Sequence, residues 1–228
     1  MSNKILDIIA SETNGKSYKT YKYCFDSAET SPIDYDDNKQ ITWKKYGETV
    51  PPKGTKDMRE EADLLMSEAP LFSYFLDGSR HTYKVDDIAY KNQVYPIVAG
   101  QVGISCCTRI DGEMRAFKFE RRLAIALPKA ANKDDWKSST YFPNLKKKIN
   151  EQGYRLKDNN IEFTDVIPYS TKKDEFERIE NKAIAVIQDL MIKREVKMVS
   201  EMVEQHILNA TNYLLKDCLL YTSDAADE

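Results

Sequence analysis

The segment that decides the fold is LFSYFLDGSR at residues 71–80. Its first six residues, Leu71 to Leu76, have the length and apolar character of a short buried strand, and Asp77 and Gly78 follow directly. Asp-Gly is also the commonest hairpin signal, so one interpretation is a tight turn between residues 72–76 and 82–85. The other is that the strand ends at Asp77 and delivers its carboxylate to a polar site.

A similar pattern stands near the C-terminus, where NYLLKD at residues 212–217 predicts a short strand ending in Asp217. If this strand lies beside the first one, Asp77 and Asp217 converge. Oxygen-only ligation suits Mg²⁺ or Mn²⁺, and two such ions can hydrolyse a phosphodiester. The pair of carboxylates therefore favours a metal site over a simple turn.

The intervening sequence predicts a mixed α/β or α+β sheet. Valine and isoleucine mark a strand from Val94 to Cys107, and a further strand at 114–126 follows the hairpin signal Asp111-Gly112. These strands and the first one form an antiparallel meander. A long helix at about 173–206 then leads to the fourth strand, which we expect to pair with the first.

On the long helix, the acidic residues are sorted by helical phase. Glu195 shares a stripe with Ile187, Met191 and Met202, so we expect it to face the core, where a carboxylate needs compensation that a metal would supply. The alternatives are a surface ion pair of Glu195 with Arg194 or Lys193, and a glutamate at the helix edge whose stem packs on Val199. Glu201 has charged helical neighbours and is expected on a solvated face, which makes Glu195 the better candidate.

The other regions carry less information. We expect residues 1–70 to form a polar N-terminal arm with short helices at 4–10 and 56–68, and residues 128–173 to be polar with one possible strand at 161–166. Cys106 and Cys107, adjacent on a strand, point to opposite faces and are expected to be buried small hydrophobes.

The last eleven residues, 218–228, resemble a translated sequencing adapter, so we expect an artefactual tail and a gene truncated after Asp217. Three of the 37 acidic residues fall in this tail, which leaves 34 acidic against 34 basic residues. A neutral chain with no apolar stretch of membrane-spanning length is expected to be cytoplasmic, with any DNA-binding surface local.

Taken together, the run from Tyr74 to Arg80, the strand from Tyr95 to Gly103, the helix with Glu195 and the final Lys216-Asp217 resemble the NurA nucleases. The resemblance covers residues 71–217 and implies a ribonuclease H-like core lacking its C-terminal part. It also implies metal-dependent DNA hydrolysis in end resection and double-strand break repair, by 5′ to 3′ exonuclease and single-strand endonuclease activity. The implied partners are DNA, a HerA-type hexameric ATPase and, in the full-length protein, a second copy of the chain.

The resemblance assigns three metal ligands, which are Asp77, Glu195 and Asp217, and two Mn²⁺ or Mg²⁺ ions. In the family an Asp-Gly pair supplies the third acid, but Cys218 follows Asp217 here, and further family residues, including a histidine, have no counterpart. Near strand ends, the candidates for phosphate contact are Arg80, Arg109, Arg121 and Arg122, with Ser79 and His81 as possible additions. The alternatives are a non-catalytic ribonuclease H-like scaffold docking on an ATPase, and another two-metal phosphoryl-transfer enzyme.

Overall fold

The computed structural model describes residues 4–18, 20–25, 57, 59–66, 71–132, 138–172, 178–209 and 212–216. Within these ranges the chain is a mixed α/β protein built on one sheet of seven strands. In chain order the strands are β1 (Lys16–Tyr18), β2 (Tyr23–Cys24), β3 (Phe72–Tyr90), β4 (Gln93–Ile110), β5 (Glu113–Pro128), β6 (Asp165–Tyr169) and β7 (Tyr213–Lys216). The helices are α1 (Ile5–Thr13), α2 (Arg59–Met66), α3 (Ser138–Gln152), α4 (Tyr154–Asp158) and α5 (Ile179–Glu204), and Lys129–Ala131 form a 3₁₀ turn.

The centre of the sheet is the antiparallel meander β3–β4–β5, as predicted. The β4–β5 turn is the predicted Asp111-Gly112 pair, and both residues have positive φ, 51° and 79°. This geometry is the one that matches the twist of a two-residue hairpin, which explains the Asp-Gly sequence.

The fourth strand lies where the sequence placed it. β7 pairs parallel with the first residues of β3, in a register that ends with Leu76 opposite Lys216. At the far edge, β6 pairs parallel with β5, which makes the sheet mixed. The predicted strand at 161–166 is therefore shifted, because β6 begins at Asp165.

Helix α5 packs across one face of the meander. Its side chains Ile187, Met191 and Met198 are almost fully buried, and each such burial contributes about 1.5–3 kcal/mol. The close approach depends on Gly100 of β4, where an added Cβ would lie 2.5 Å from Cγ2 of Ile187. Packing against the sheet, rather than propensity alone, therefore fixes the position of this helix.

The beginning of the chain belongs to the sheet and not to a separate arm. Ile8 and Ile9 of α1 are buried in the main core, and β1 and β2 both pair antiparallel with β3. The compact unit that contains the sheet accordingly includes the described residues 4–18 and 20–25, whereas α2 belongs to a second compact unit. The described residues before Phe25 therefore pack with the sheet.

Helix α3 lies in the stretch that was expected to be polar, with a strand as its only regular element. Its residues Phe142, Leu145 and Ile149 are buried at helical spacing. None of the helices in the described ranges has both the length and the apolar character that crossing a membrane requires.

Candidate functional site

The Asp77-Gly78 pair lies inside a strand, which corrects both interpretations of the sequence. β3 does not end at Leu76 but runs for 19 residues, from Phe72 to Tyr90, and no turn interrupts it. The ladder to β4 is unbroken here, with Asp77 opposite Ser105 and Gly78 opposite Ile104. The local turn signal is overridden by this long pairing, and strand alternation then decides where each side chain points.

Alternation sends neighbouring residues of this segment to opposite faces of the sheet. Gly78 faces α5, because a Cβ built on it would lie 3.0 Å from Cγ of Met191. Asp77 and Ser79 therefore point to the other side, where both are exposed. We call the α5 side the helix face, and the opposite side around Asp77, Ser105 and Phe119 the open face.

Glu195 is buried on the helix face, as its helical phase predicted, with 3% of its surface exposed. Its carboxylate lies directly on Gly78, since a Cβ at that glycine would be 2.1 Å from Oε1. The charge that compensates it is Lys216, whose Nζ is 2.9 Å from Oε2. The alternative of a surface pair with Arg194 is wrong, because Arg194 pairs with Glu120 at 2.7 Å.

Strands β1, β2 and β7 pair with the edge of β3 that lies next to this carboxylate. On the edge of β3 that faces away from β4, β7 pairs with β3 as far as Leu76. Further along the same edge, the amide nitrogen of Phe25 donates a hydrogen bond to the carbonyl of Thr82 at 2.9 Å. Among the strands that the structure describes, none pairs with this edge between Asp77 and His81. Glu195 lies beside this segment of β3 on the helix face, and Asp77 lies on the open face.

The carboxylates of Asp77 and Glu195 are therefore not brought onto one face. The side chain of Asp77 makes no hydrogen bond or ion pair with any residue in the described ranges. Within those ranges, no three His, Cys, Asp or Glu side chains come together as a metal site. The third predicted ligand, Asp217, lies outside the described residues. The structure therefore describes only two of the three predicted ligands, Asp77 and Glu195.

Two of the four predicted DNA-binding arginines are held by internal contacts on the helix face. Arg80 donates from Nε to Gln188 of α5 and from Nη1 to Thr82 at 3.4 Å. Arg122 holds both carboxylate oxygens of Asp165 at 2.9 Å, and this hydrogen bonding raises its pKa. Both side chains tie elements of the fold together.

The other two arginines lie over aromatic rings. The guanidinium carbon of Arg109 is 5.6 Å from the centre of the Phe75 ring, and that of Arg121 is 5.5 Å from the Phe119 ring. Both arginines are exposed, and neither has a carboxylate partner in the part of the chain that the structure describes. His81 is exposed as well and shares the strand phase of Asp77.

Glu201 is engaged elsewhere on α5. It pairs with Lys118 of β5 and with Lys197 at 3.7 Å, and the hydrogen bond from Lys118 lowers its pKa. Its side chain is about one third exposed, at 32%. Of the two helical glutamates, it is Glu195 that lies against Gly78.

Sequence reasoning missed two residues of this region. Lys216 was considered only as part of a strand, and nothing local indicates that it pairs with a helix residue. Phe119 was not singled out within the predicted strand at 114–126, and its side chain is 60% exposed. Phe119 is two residues from Arg121 on the same strand, so both side chains lie on one face of the sheet. This spacing next to a charged residue could have indicated that Phe119 is exposed.

Comparisons with protein-family models, curated proteins and solved structures return no match to this chain.

Proposed function

We propose that the chain is a metal-dependent DNA nuclease with a ribonuclease H-like core, related in plan to the NurA enzymes. One observation carries the proposal, which is that Leu76 and Lys216 are opposite each other in parallel strands and are followed in sequence by Asp77 and Asp217. Glu195 reaches this point from a helix that follows the meander. A meander, a helix and a strand returning parallel to the first are the order that such a core requires.

The chemical type of the proposed donors suits a divalent cation of the Mg²⁺ or Mn²⁺ type. The ligands proposed are Asp77, Glu195 and Asp217, all carboxylates, which these hard cations prefer. Gly78 has no side chain, so the Glu195 carboxylate lies against β3 at the residue after Asp77. Asp77 points to the opposite face, so an ion shared by the two carboxylates would have to lie at the edge of β3. When bound, a pair of such ions activates water and stabilises the leaving oxygen of a phosphodiester.

The residues of the chain have separate tasks in this proposal. Lys216 neutralises Glu195 and fixes the orientation of its carboxylate while it is buried. Asp77 offers a carboxylate that has no competing partner among the described residues. Function in DNA end resection with a HerA-type ATPase, as a homodimer in the cytoplasm, completes the proposal.

The test is digestion of end-labelled single- and double-stranded DNA in Mn²⁺. We expect the wild-type chain to degrade DNA and Asp77→Ala and Glu195→Gln to lose that activity. The matched control is Asp189→Asn, which changes an exposed acid on α5. Equal degradation by wild type and Asp77→Ala would remove Asp77 from the site.

Metal binding has a readout that is independent of cleavage. A ligand that binds only the folded chain raises its melting temperature, so Mn²⁺ should raise the melting temperature of the wild type. The rise should be smaller for Asp77→Ala and unchanged for Asp189→Asn. The same rise in all three proteins would place the bound metal elsewhere.

A second candidate is a non-catalytic scaffold of the same fold that docks on a partner ATPase. The observation that favours it is the Glu195–Lys216 ion pair, which satisfies the buried carboxylate without a metal. This candidate predicts that Mn²⁺ leaves the melting temperature unchanged and that DNA stays intact. Another two-metal phosphoryl-transfer enzyme would bind the metal but prefer a different substrate.

A further inference from the structure

The open face of the sheet carries two arginines whose guanidinium groups are unpaired within the described chain. On the helix face, by contrast, Arg80, Arg122 and Arg194 are all bonded to polar or acidic side chains. Arg109 and Arg121 rest instead on aromatic rings at 5.6 and 5.5 Å. A guanidinium held over a ring keeps its N–H groups available for an anion.

The surface between these arginines bears an exposed aromatic ring. Phe119 is 60% exposed, and its register neighbour Ser105 is small. Gly103, next to Phe119, adds no side chain, and a Cβ there would be 3.8 Å from Cε2 of the ring. The edge of the Phe119 ring is therefore left uncovered by its neighbour on β4.

The proposed metal ligand Asp77 shares this surface. Asp77, Ser105 and Phe119 stand opposite one another on three adjacent strands. Two strand spacings place the backbone of Phe119 about 10 Å from that of Asp77. In the register rows from Phe75 to His81 on this face, Asp77 is the only acid among the described residues.

We propose that the open face binds single-stranded DNA, with a base stacked on Phe119 and the backbone phosphates held by Arg121 and Arg109. An aromatic platform beside basic side chains is the recurrent way in which proteins bind single strands. A duplex keeps its bases stacked on each other, so it cannot use the ring in this way. The inference rests on the proposed nuclease function and assigns the path by which a strand reaches Asp77.

The test measures binding without cleavage. The full chain is titrated, in EDTA, onto a fluorescein-labelled oligo(dT) of about 12 nucleotides, within the site sizes of single-strand binders, and anisotropy is recorded. We expect Phe119→Ala to raise Kd about tenfold, the effect of losing one stacked base. Arg121→Ala should lower the slope of log K against log salt by about 0.7, the loss of one phosphate contact on a single strand.

A second variant tests the same stacking platform but keeps the Phe119 ring. In Gly103→Leu the new side chain lies beside Phe119 and covers the platform, and we expect weaker binding with the fold retained. The control variants are Tyr21→Ala, which removes a 91% exposed aromatic elsewhere, and Arg178→Ala, which removes an exposed arginine at the start of α5. Both should bind oligo(dT) like the wild type.

Several outcomes overturn the proposal. Binding of Phe119→Ala within twofold of the wild type removes the stacking platform, and equal competition by a blunt duplex removes the single-strand mode. Tighter binding of oligo(U) reassigns the surface to RNA. A dimer that Phe119→Ala dissociates, without oligo(dT) binding, makes the face a subunit contact.

Failure of this inference is distinguishable from failure of the nuclease proposal. Asp77→Ala removes a negative charge from the open face and should keep or strengthen oligo(dT) binding in EDTA. If that variant also keeps Mn²⁺-dependent cleavage, the assigned nuclease site fails while the binding surface stands. If wild type cleaves but Phe119→Ala binds and cleaves normally, the binding surface fails alone.

Discussion

The two faces of the sheet around Asp77 and Gly78 differ in whether their charged side chains are paired. On the helix face, Glu195, Arg122 and Arg194 are each bonded to an opposite charge under the cover of α5. On the open face, Asp77, Arg109 and Arg121 have no ionic partner in the described residues. Buried charges must be paired to be tolerated, whereas exposed ones can stay free for a ligand. The difference separates charges that hold the fold from charges that remain available.

Among the variants that test this difference between the faces, Lys216→Met should have the largest effect on the free energy of unfolding. Glu195 would keep a buried charge without its partner, and removal of one member of a buried pair is strongly destabilising. Because Lys216 is itself 30% exposed, we expect a loss of about 2 kcal/mol in the free energy of unfolding in urea. The double variant Lys216→Met/Glu195→Leu should recover most of it. A single variant as stable as the wild type would mean that the pair contributes nothing.

Two glycines of β3 and β4 provide the next test. Gly78→Ala forces the Glu195 carboxylate away from its position, because the new Cβ would lie 2.1 Å from Oε1, and we expect a loss of about 1–2 kcal/mol. Gly103→Ala, on the open face, meets no atom closer than 3.4 Å and should change stability by less than about 0.5 kcal/mol. Urea unfolding of both variants decides; equal losses would contradict the assignment of the two faces.

Arg121 and Arg122 are adjacent on β5 but lie on opposite faces, so their variants compare the two faces within one strand. Arg122→Ala breaks a two-oxygen contact that joins β5 to Asp165 of β6, and we expect a loss of about 1–2 kcal/mol for this partly exposed pair. Arg121→Ala removes only the contact over Phe119 and should cost less than about 0.5 kcal/mol. Thermal unfolding at matched protein concentration measures both. If Arg121→Ala is the more destabilising variant, the open-face arginine has a structural role.

The smallest effect is a titration on the helix face. The hydrogen bond from Lys118 lowers the pKa of Glu201 below its ordinary value of 4.5. A lowered carboxylate pKa means that the stabilisation is present above the ordinary value and is lost as the pH falls through the folded pKa. In Lys118→Met we expect the Glu201 carboxyl titration, followed by NMR, to move up toward 4.5. An unchanged titration would show that Lys118 does not hold Glu201 in solution.

The parts of the fold that the sequence predicted have strong local signals. The Asp111-Gly112 hairpin, the meander and the core-facing phase of Glu195 all follow from spacing within one or two elements. Helix α3 was missed although Tyr141, Phe142, Leu145 and Ile149 repeat at helical spacing, because Pro143 and the lysines at 146–148 resemble a loop. Residue spacing therefore predicts single elements, but not the ion pairs and close contacts between them.

The site was harder to predict because its contacts join distant strands. Asp77-Gly78 resembles a turn locally, and only the long ladder to β4 makes it part of a strand. Lys216 reaches Glu195 because β7 docks parallel to β3, a pairing that no local pattern specifies. Faces of the sheet could be assigned only once it was known that β3 does not end at Leu76.

β3 has a consequence for the order of folding, since β1, β2, β4 and β7 all pair with it. The hairpins β3–β4 and β4–β5 close over two-residue turns and can form early, whereas β1, β2 and β7 arrive from distant parts of the chain. These three short strands need an edge that exists only after the hairpins have formed. We therefore expect the amides of the meander to be the last to exchange with deuterium, and those of β1, β2 and β7 to exchange earlier.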